Sequence, residues 1–198
     1  MNSTNYAKKL FSMFVLTFIL SLGIITSAKA ADVNGFNYGC GDILVTKNTR
    51  SSTFLGHAGI VLPDGKTVVH IAGKGCKPDT ISIANWLKTY PSTKVVRCNS
   101  KTTRINASNW ANDYYVNGKG RFTPYCITPN PKDLTKVYCS ELVWQSYYYG
   151  ANLAYKVIDY GKMGLPAVTI PRIISPYEFI DSNCQNINGF KTVKSFNW

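Results

Sequence analysis

His57-Ala-Gly-Ile-Val-Leu-Pro-Asp-Gly-Lys-Thr-Val-Val-His-Ile71 decides how this chain folds. Two runs of apolar and β-branched residues, 57–62 and 66–71, flank Pro63-Asp64-Gly65, and Asp-Gly between such runs is a strong hairpin signal. A two-residue turn at Asp64-Gly65 pairs Pro63 with Lys66. Paired numbers then sum to 129, and His70 lies opposite Gly59. His57, two residues from Gly59, shares the face of His70 as its diagonal neighbour, roughly 7 to 8 Å away at the backbone. An odd-length turn would put the two rings on opposite faces. Gly59 carries no side chain, which leaves room for them to meet. These are the only histidines of the chain. Sharing one face suits a general base and the residue that orients it; the plain alternative is a pair of polar side chains facing solvent.

Working outward, Asp42-Ile-Leu-Val-Thr46 reads as a strand preceding the hairpin, and Lys94 to Cys98 as another after it, giving an antiparallel sheet. Ser82 to Tyr90 reads as a short helix stopped by Pro91. Ala107 to Val116 reads as a second helix, with Asn106 or Ser108 as cap and Asn117-Gly118 as its end. Tyr138 to Tyr149 is the best helix of the chain, with Leu142, Val143, Ser146 and Tyr147 on one side and Gly150 at its end. The tail from Gly161, punctuated by Pro166, Pro171 and Pro176, is expected to be irregular apart from a short strand near Ala167 to Ile170.

The first thirty residues read as a secretory signal peptide. Lys8 and Lys9 precede an apolar run from Leu10 to Thr26, and Ala28-Lys29-Ala30 supplies the small residues of a cleavage site, so the mature chain is expected to begin at Ala31. An uncleaved anchor is the alternative. The remaining 168 residues suit a single domain, 31–198. Three of the 22 basic residues fall in the leader, leaving 19 against ten acidic ones, a formal +9. Such an excess favours an anionic surface such as the cell wall or lipid. The basic residues are scattered rather than run together, and no nucleic-acid-binding signature occurs, so nucleic acid is not an expected partner.

Cys139 opens the predicted helix 138–149. There the unpaired N–H groups and the positive end of the dipole favour a thiolate, and a nearby histidine would lower the pKa further, making this the thiol expected to alkylate first. The Cys139 N–H would also serve as an oxyanion donor. Glu141 is expected to favour the helix start rather than act as an acid. Six cysteines, at 40, 76, 98, 126, 139 and 184, admit three disulfides in a secreted chain. With Cys139 set aside as reactive, at most two bridges and one spare thiol remain, and the sequence does not pair Cys40, Cys76, Cys98, Cys126 and Cys184.

Gly41-Asp42-Ile43-Leu44, Gly56-His57-Ala58-Gly59-Ile60-Val61 and Tyr138-Cys139-Ser140-Glu141-Leu142-Val143-Trp144 resemble the motifs of the YiiX-like permuted papain-like amidases, a branch of the NlpC cell-wall hydrolase superfamily. Lecithin retinol acyltransferase is a more distant member of that group. The resemblance spans about Gly41 to Gly150, with a weaker echo at Ile174 to Phe179. It implies an α+β, circularly permuted papain-like fold with the nucleophile helix packed on an antiparallel sheet, the histidine hairpin coming before the cysteine. It further implies Cys139 as nucleophile, His57 as base and His70 as the third polar residue, a place that many YiiX-like members fill with an acid. The expected activity is a secreted cysteine peptidase or amidase, working without cofactor on peptidoglycan. The alternatives are a lipid amide or ester hydrolase or acyltransferase on the same fold, and a noncatalytic wall- or lipid-binding module. A zinc site from His57, His70 and Cys139 is the chemical rival, since all three are ligand types.

Overall fold

The computed structural model describes residues 32–49, 56–161 and 164–198. The proposed leader, 1–30, lies outside them.

A six-stranded antiparallel sheet organises the chain, in the order β10-β7-β3-β4-β5-β6. Its centre is β3 (Ile43–Thr46), β4 (His57–Val61) and β5 (Thr67–His70). β6 (Asp79–Ser82) and β10 (Phe190–Phe196) form the edges, and β7 (Thr93–Cys98) lies between β10 and β3. Gly59 pairs with His70, Ile60 with Val69 and Val61 with Val68, the register expected from the Asp64-Gly65 turn. Every residue of β3 and β4 is buried, because the sheet is covered on both faces. Successive side chains alternate between those faces. Ile43, Val45, Ala58, Ile60, Val69 and Val96 join one core cluster, whereas Leu44, Val61, Val68 and Val95 join another around Trp86. Two small hairpins stand apart from the sheet: β1 (Asp32–Val33) with β2 (Phe36–Asn37), and β8 (Val157–Asp159) with β9 (Ala167–Thr169).

Three helices follow their local signals to different degrees. α1 (Ile83–Thr89) begins where Ser82 Oγ accepts the Asn85 N–H at 3.2 Å, and its Trp86 and Leu87 cover one face of the sheet. α2 (Lys101–Ala111) starts six residues before the expected Ala107, because Ser100 rather than Asn106 or Ser108 caps it, accepting from Thr103 N–H at 3.2 Å. Ser108 lies inside the helix and donates to the Val61 carbonyl at 2.8 Å, tying α2 to β4. A wider π turn, Asn112–Val116, carries the chain on to the expected end at Asn117.

α3 (Cys139–Ala151) runs past Gly150, which therefore does not end it. A Cβ at Gly150 would stand 2.6 Å from the Asn106 carbonyl and 2.7 Å from Trp110 Cβ, so this glycine permits close packing of α2 on α3. The helix ends at Asn152, whose φ of 54° allows its N–H to reach the Tyr147 carbonyl. From Cys139 to Tyr147 every residue is buried, not only one side.

The tail is more ordered than its prolines suggest. Asp181 caps α4 (Ser182–Asn188) through the Cys184 N–H at 2.8 Å, Gly189 ends it at φ 72°, and β10 then pairs with β7. An edge strand carrying Lys191 and Lys194 gives little local signal; the β7 ladder holds it in place. Among the described residues no helix is long and apolar enough to cross a membrane. All six cysteines are free thiols.

Candidate active site

The histidine pair is built by register. Because Gly59 faces His70, His57 projects on the same side, and His57 Nε2 meets His70 Nδ1 at 2.8 Å in a buried hydrogen bond. The missing side chain of Gly59 leaves room for the two rings to meet, as expected, and for a third ring besides. A Cβ there would lie 2.6 Å from Val68 Cγ1 and 3.1 Å from the Trp86 ring. Trp86 fills the space and stacks on His57, with ring centroids 5.3 Å apart and an interplanar angle of 17°. Tyr90, one turn further along, closes against both imidazoles at 5.2 and 6.5 Å. Sequence reasoning missed these two aromatics; their i, i+4 spacing in the short segment 82–90 was the available signal.

Burial governs the protonation of the pair. It pushes His57 down to about 3, with His70 adding to the fall. Burial also lowers His70, opposed by the Asp79 carboxylate. Both rings are therefore neutral near pH 7, and the bond between them has one proton.

Cys139 reaches this region from the opposite face. Leu62 N–H donates to the Thr67 carbonyl at 2.8 Å, so by alternation the Ala58 N–H also points toward β5. β5, however, ends at His70, and the ladder has no further partner for Ala58. The Ala58 N–H acts instead on the Cys139 sulfur, as do the N–H and hydroxyl of Ser140. The structure thus brings the Cys139 sulfur to the backbone of Ala58, the residue next to His57. No direct hydrogen bond joins the Cys139 and His57 side chains among the described residues. Tyr125 stands close enough for Cys139 to act on its phenol, which burial first and Cys139 second push up to about 12; this neighbour too was missed. Tyr138 and Ser140 moor the helix start to the tail, Tyr138 Oη accepting the Ile174 N–H at 2.8 Å and Ser140 Oγ donating to the Ile174 carbonyl at 2.7 Å.

One electrostatic expectation is corrected and another refined. The Cys139 thiol is pushed up, not down, because burial outweighs the N–H groups that favour the thiolate. Glu141 does favour the helix start, as expected, but by a hydrogen bond from a neutral carboxyl rather than by charge. It is fully buried, its Oε2 accepts the Tyr138 N–H at 3.2 Å, and burial pushes the carboxyl up to about 8. The resting site therefore holds a thiol beside two neutral imidazoles.

The architecture is that of a YiiX-like α+β protein. The chain superposes with a TM-score of 0.53 on the crystal structure of metalloprotein yiiX from Escherichia coli O157:H7, over 81% of this chain and 98% of that one at 17% identity. The chain belongs to the family described as lipoprotein N-acylation protein LnsA-like, which matches residues 7–196. It is also 29% identical over 157 residues to an uncharacterized 30.3 kDa protein of Bacillus thuringiensis, covering 75% of this chain and 54% of that relative. The chain thus spans about half the length of that curated relative.

A metal, which the description of yiiX would imply, does not fit the side chains seen here. His57 Nε2 and His70 Nδ1 are turned on each other, and among the described residues no three His, Cys, Asp or Glu side chains converge as ligands.

Proposed function

We propose that this protein is a thiol-dependent acyltransferase or acyl hydrolase of permuted papain-like design, forming an acyl-thioester on Cys139. One observation carries the reading: His57, held in a buried hydrogen bond with His70, adjoins Ala58, whose N–H acts on the sulfur of a helix-start cysteine. The family's description, lipoprotein N-acylation, favours a lipid acyl group over the peptidoglycan amide expected from the motifs. A cleaved leader at 1–30 would deliver the protein to the outer side of the membrane, where such acyl groups are found.

With Nε2 engaged by His70, the nitrogen of His57 left for chemistry is Nδ1. The Cys139 sulfur attacks the acyl carbonyl as its proton passes to His57 Nδ1, and the Cys139 N–H steadies the oxyanion. His57 returns the proton to the departing alcohol or amine, leaving the thioester. An amine or a water then attacks, its proton going through His57 back to the sulfur. Because the resting thiol is not ionised, deprotonation accompanies attack rather than preceding it. His70 holds the His57 ring as the third member of a triad does.

Intact-mass spectrometry after incubation with a diacyl glycerolipid tests this directly. Wild type should gain one acyl mass that hydroxylamine removes, Cys139→Ala none, and His57→Ala about a hundredfold more slowly or not at all. His70→Ala should retain slower acylation, and a chelator should have no effect. An equal adduct on Cys139→Ala, or loss of the adduct on chelation, would overturn the proposal. Release of peptidoglycan fragments without any lipid adduct would return the reading to amide cleavage.

A further inference from the structure

Asp79 opens β6 directly opposite His70 on β5. Opposed residues of an antiparallel pair project on one face with Cβ atoms about 5 Å apart, so this carboxylate shares the face on which His70 meets His57. The residue is exposed, and its Oδ1 accepts the Thr80 N–H at 2.7 Å. Among the described residues, the rings that contact His70 are His57 from β4 and the uncharged Trp86 and Tyr90 from the α1 side, the last two at 5.5 and 6.5 Å. The charge of Asp79 acts on His70 against the effect of burial.

The direction of the single proton between the two rings is what matters. If His70 carries its proton on Nδ1, it donates to His57 Nε2, and His57 must carry its own proton on Nδ1, where it cannot accept one from a thiol. If His70 carries its proton on Nε2, its Nδ1 accepts from His57 Nε2–H, and His57 Nδ1 is left with a free lone pair. A hydrogen-bond partner on one ring nitrogen decides which nitrogen is protonated.

We propose that Asp79 is a positioning residue that draws the His70 proton to Nε2, and through His70 leaves His57 Nδ1 unprotonated toward Cys139. This rests on the assignment of His57 as base to Cys139. When the thiol proton reaches His57, the added positive charge is shared with His70 and countered by Asp79, so the carboxylate favours the attack as well as the resting tautomer.

The chain's two histidines make the test clean. Nitrogen-15 NMR of imidazole-labelled protein, with signals assigned by His70→Gln, reads the tautomer of each ring without any substrate. Wild type and Cys139→Ala should both show His70 protonated on Nε2 and His57 on Nε2. Asp79→Ala and Asp79→Asn should mix the tautomers at both rings, and Asp79→Glu should restore them. With a turning-over substrate, kcat of Asp79→Ala should fall about tenfold at unchanged KM, as for outer partners that orient a functional histidine. Wild-type His57 protonated on Nδ1, or tautomers untouched by Asp79→Ala, would overturn the assignment. Shifted tautomers in a protein whose Cys139 forms no acyl adduct would refute the enzymatic reading and support the role of Asp79 in setting the pair.

Discussion

Replacing Glu141 by Gln should change how stability depends on pH, by an amount the structure allows us to work out. Glu141 is fully buried in the first turn of α3; its Oε2 accepts the Tyr138 N–H, and among the described residues its Oε1 has no hydrogen-bond partner. Burial raises the carboxyl from 4.5 to about 8. The unfolded chain releases this proton near pH 4.5, whereas the folded chain keeps it until about pH 8. Its stabilisation is therefore complete below 4.5 and is lost as the pH rises through the folded value. At about 1.4 kcal/mol per pH unit over the 3.5 units between the two values, the loss approaches about 5 kcal/mol. Glu141→Gln keeps an oxygen for the Tyr138 N–H and cannot ionise. Urea unfolding of both proteins from about pH 4 to about pH 9 gives the difference in stability at each pH. Variant minus wild type should climb by about 1.4 kcal/mol per unit above pH 4.5 and level off above pH 8. The histidines titrate alike in both proteins and cancel. A difference flat across the whole range would refute the reasoning.

The histidine pair should act in the opposite direction. Folded His57 and His70 stay neutral below the ordinary value of 6.5, where the unfolded chain binds protons, so stability present above 6.5 is lost on acidification, for His57 down to about 3. His57→Gln should flatten the slope of stability against pH between about 6.5 and about 4 by about 1.4 kcal/mol per unit; an unchanged slope would mean that the buried imidazole is protonated after all. Iodoacetamide near neutral pH should modify exposed Cys76 before Cys139, which is only 7% accessible and has its thiol pushed up, and six thiols should titrate once the chain is denatured. A first adduct on Cys139 would show that the helix start outweighs burial there.

Much of the histidine half of the site could be read from residues near one another in the chain. The Asp64-Gly65 turn fixes the register, the register places His57 and His70 on one face, and the 2.8 Å hydrogen bond follows from two residues of separation on a pleated strand. Element boundaries were less legible where local signals competed. Ser100, Asn106 and Ser108 all resemble caps; packing against β4 decides among them by using Ser108 to bind the Val61 carbonyl. Gly150 resembles a helix end, and only the neighbouring α2 backbone shows that it is a contact point. β10 could not be read locally at all, since its order comes from β7, more than ninety positions earlier in the chain.

The pairing of the two histidines and the start of a helix at Cys139 are written in local order, because turn chemistry, strand period and helix-end preferences act over a few residues. The electrostatics, by contrast, come from packing between distant segments. Covering both faces of the sheet removes water from Cys139, Glu141, His57 and His70 together, and that desolvation outweighs the helix start and the capping N–H groups which, taken locally, pointed to a thiolate and a carboxylate. Such packing also sets Asp79 opposite His70 and stacks Trp86 on His57, since strand pairing across a loop and the docking of a helix on a sheet depend on distances in space rather than along the chain.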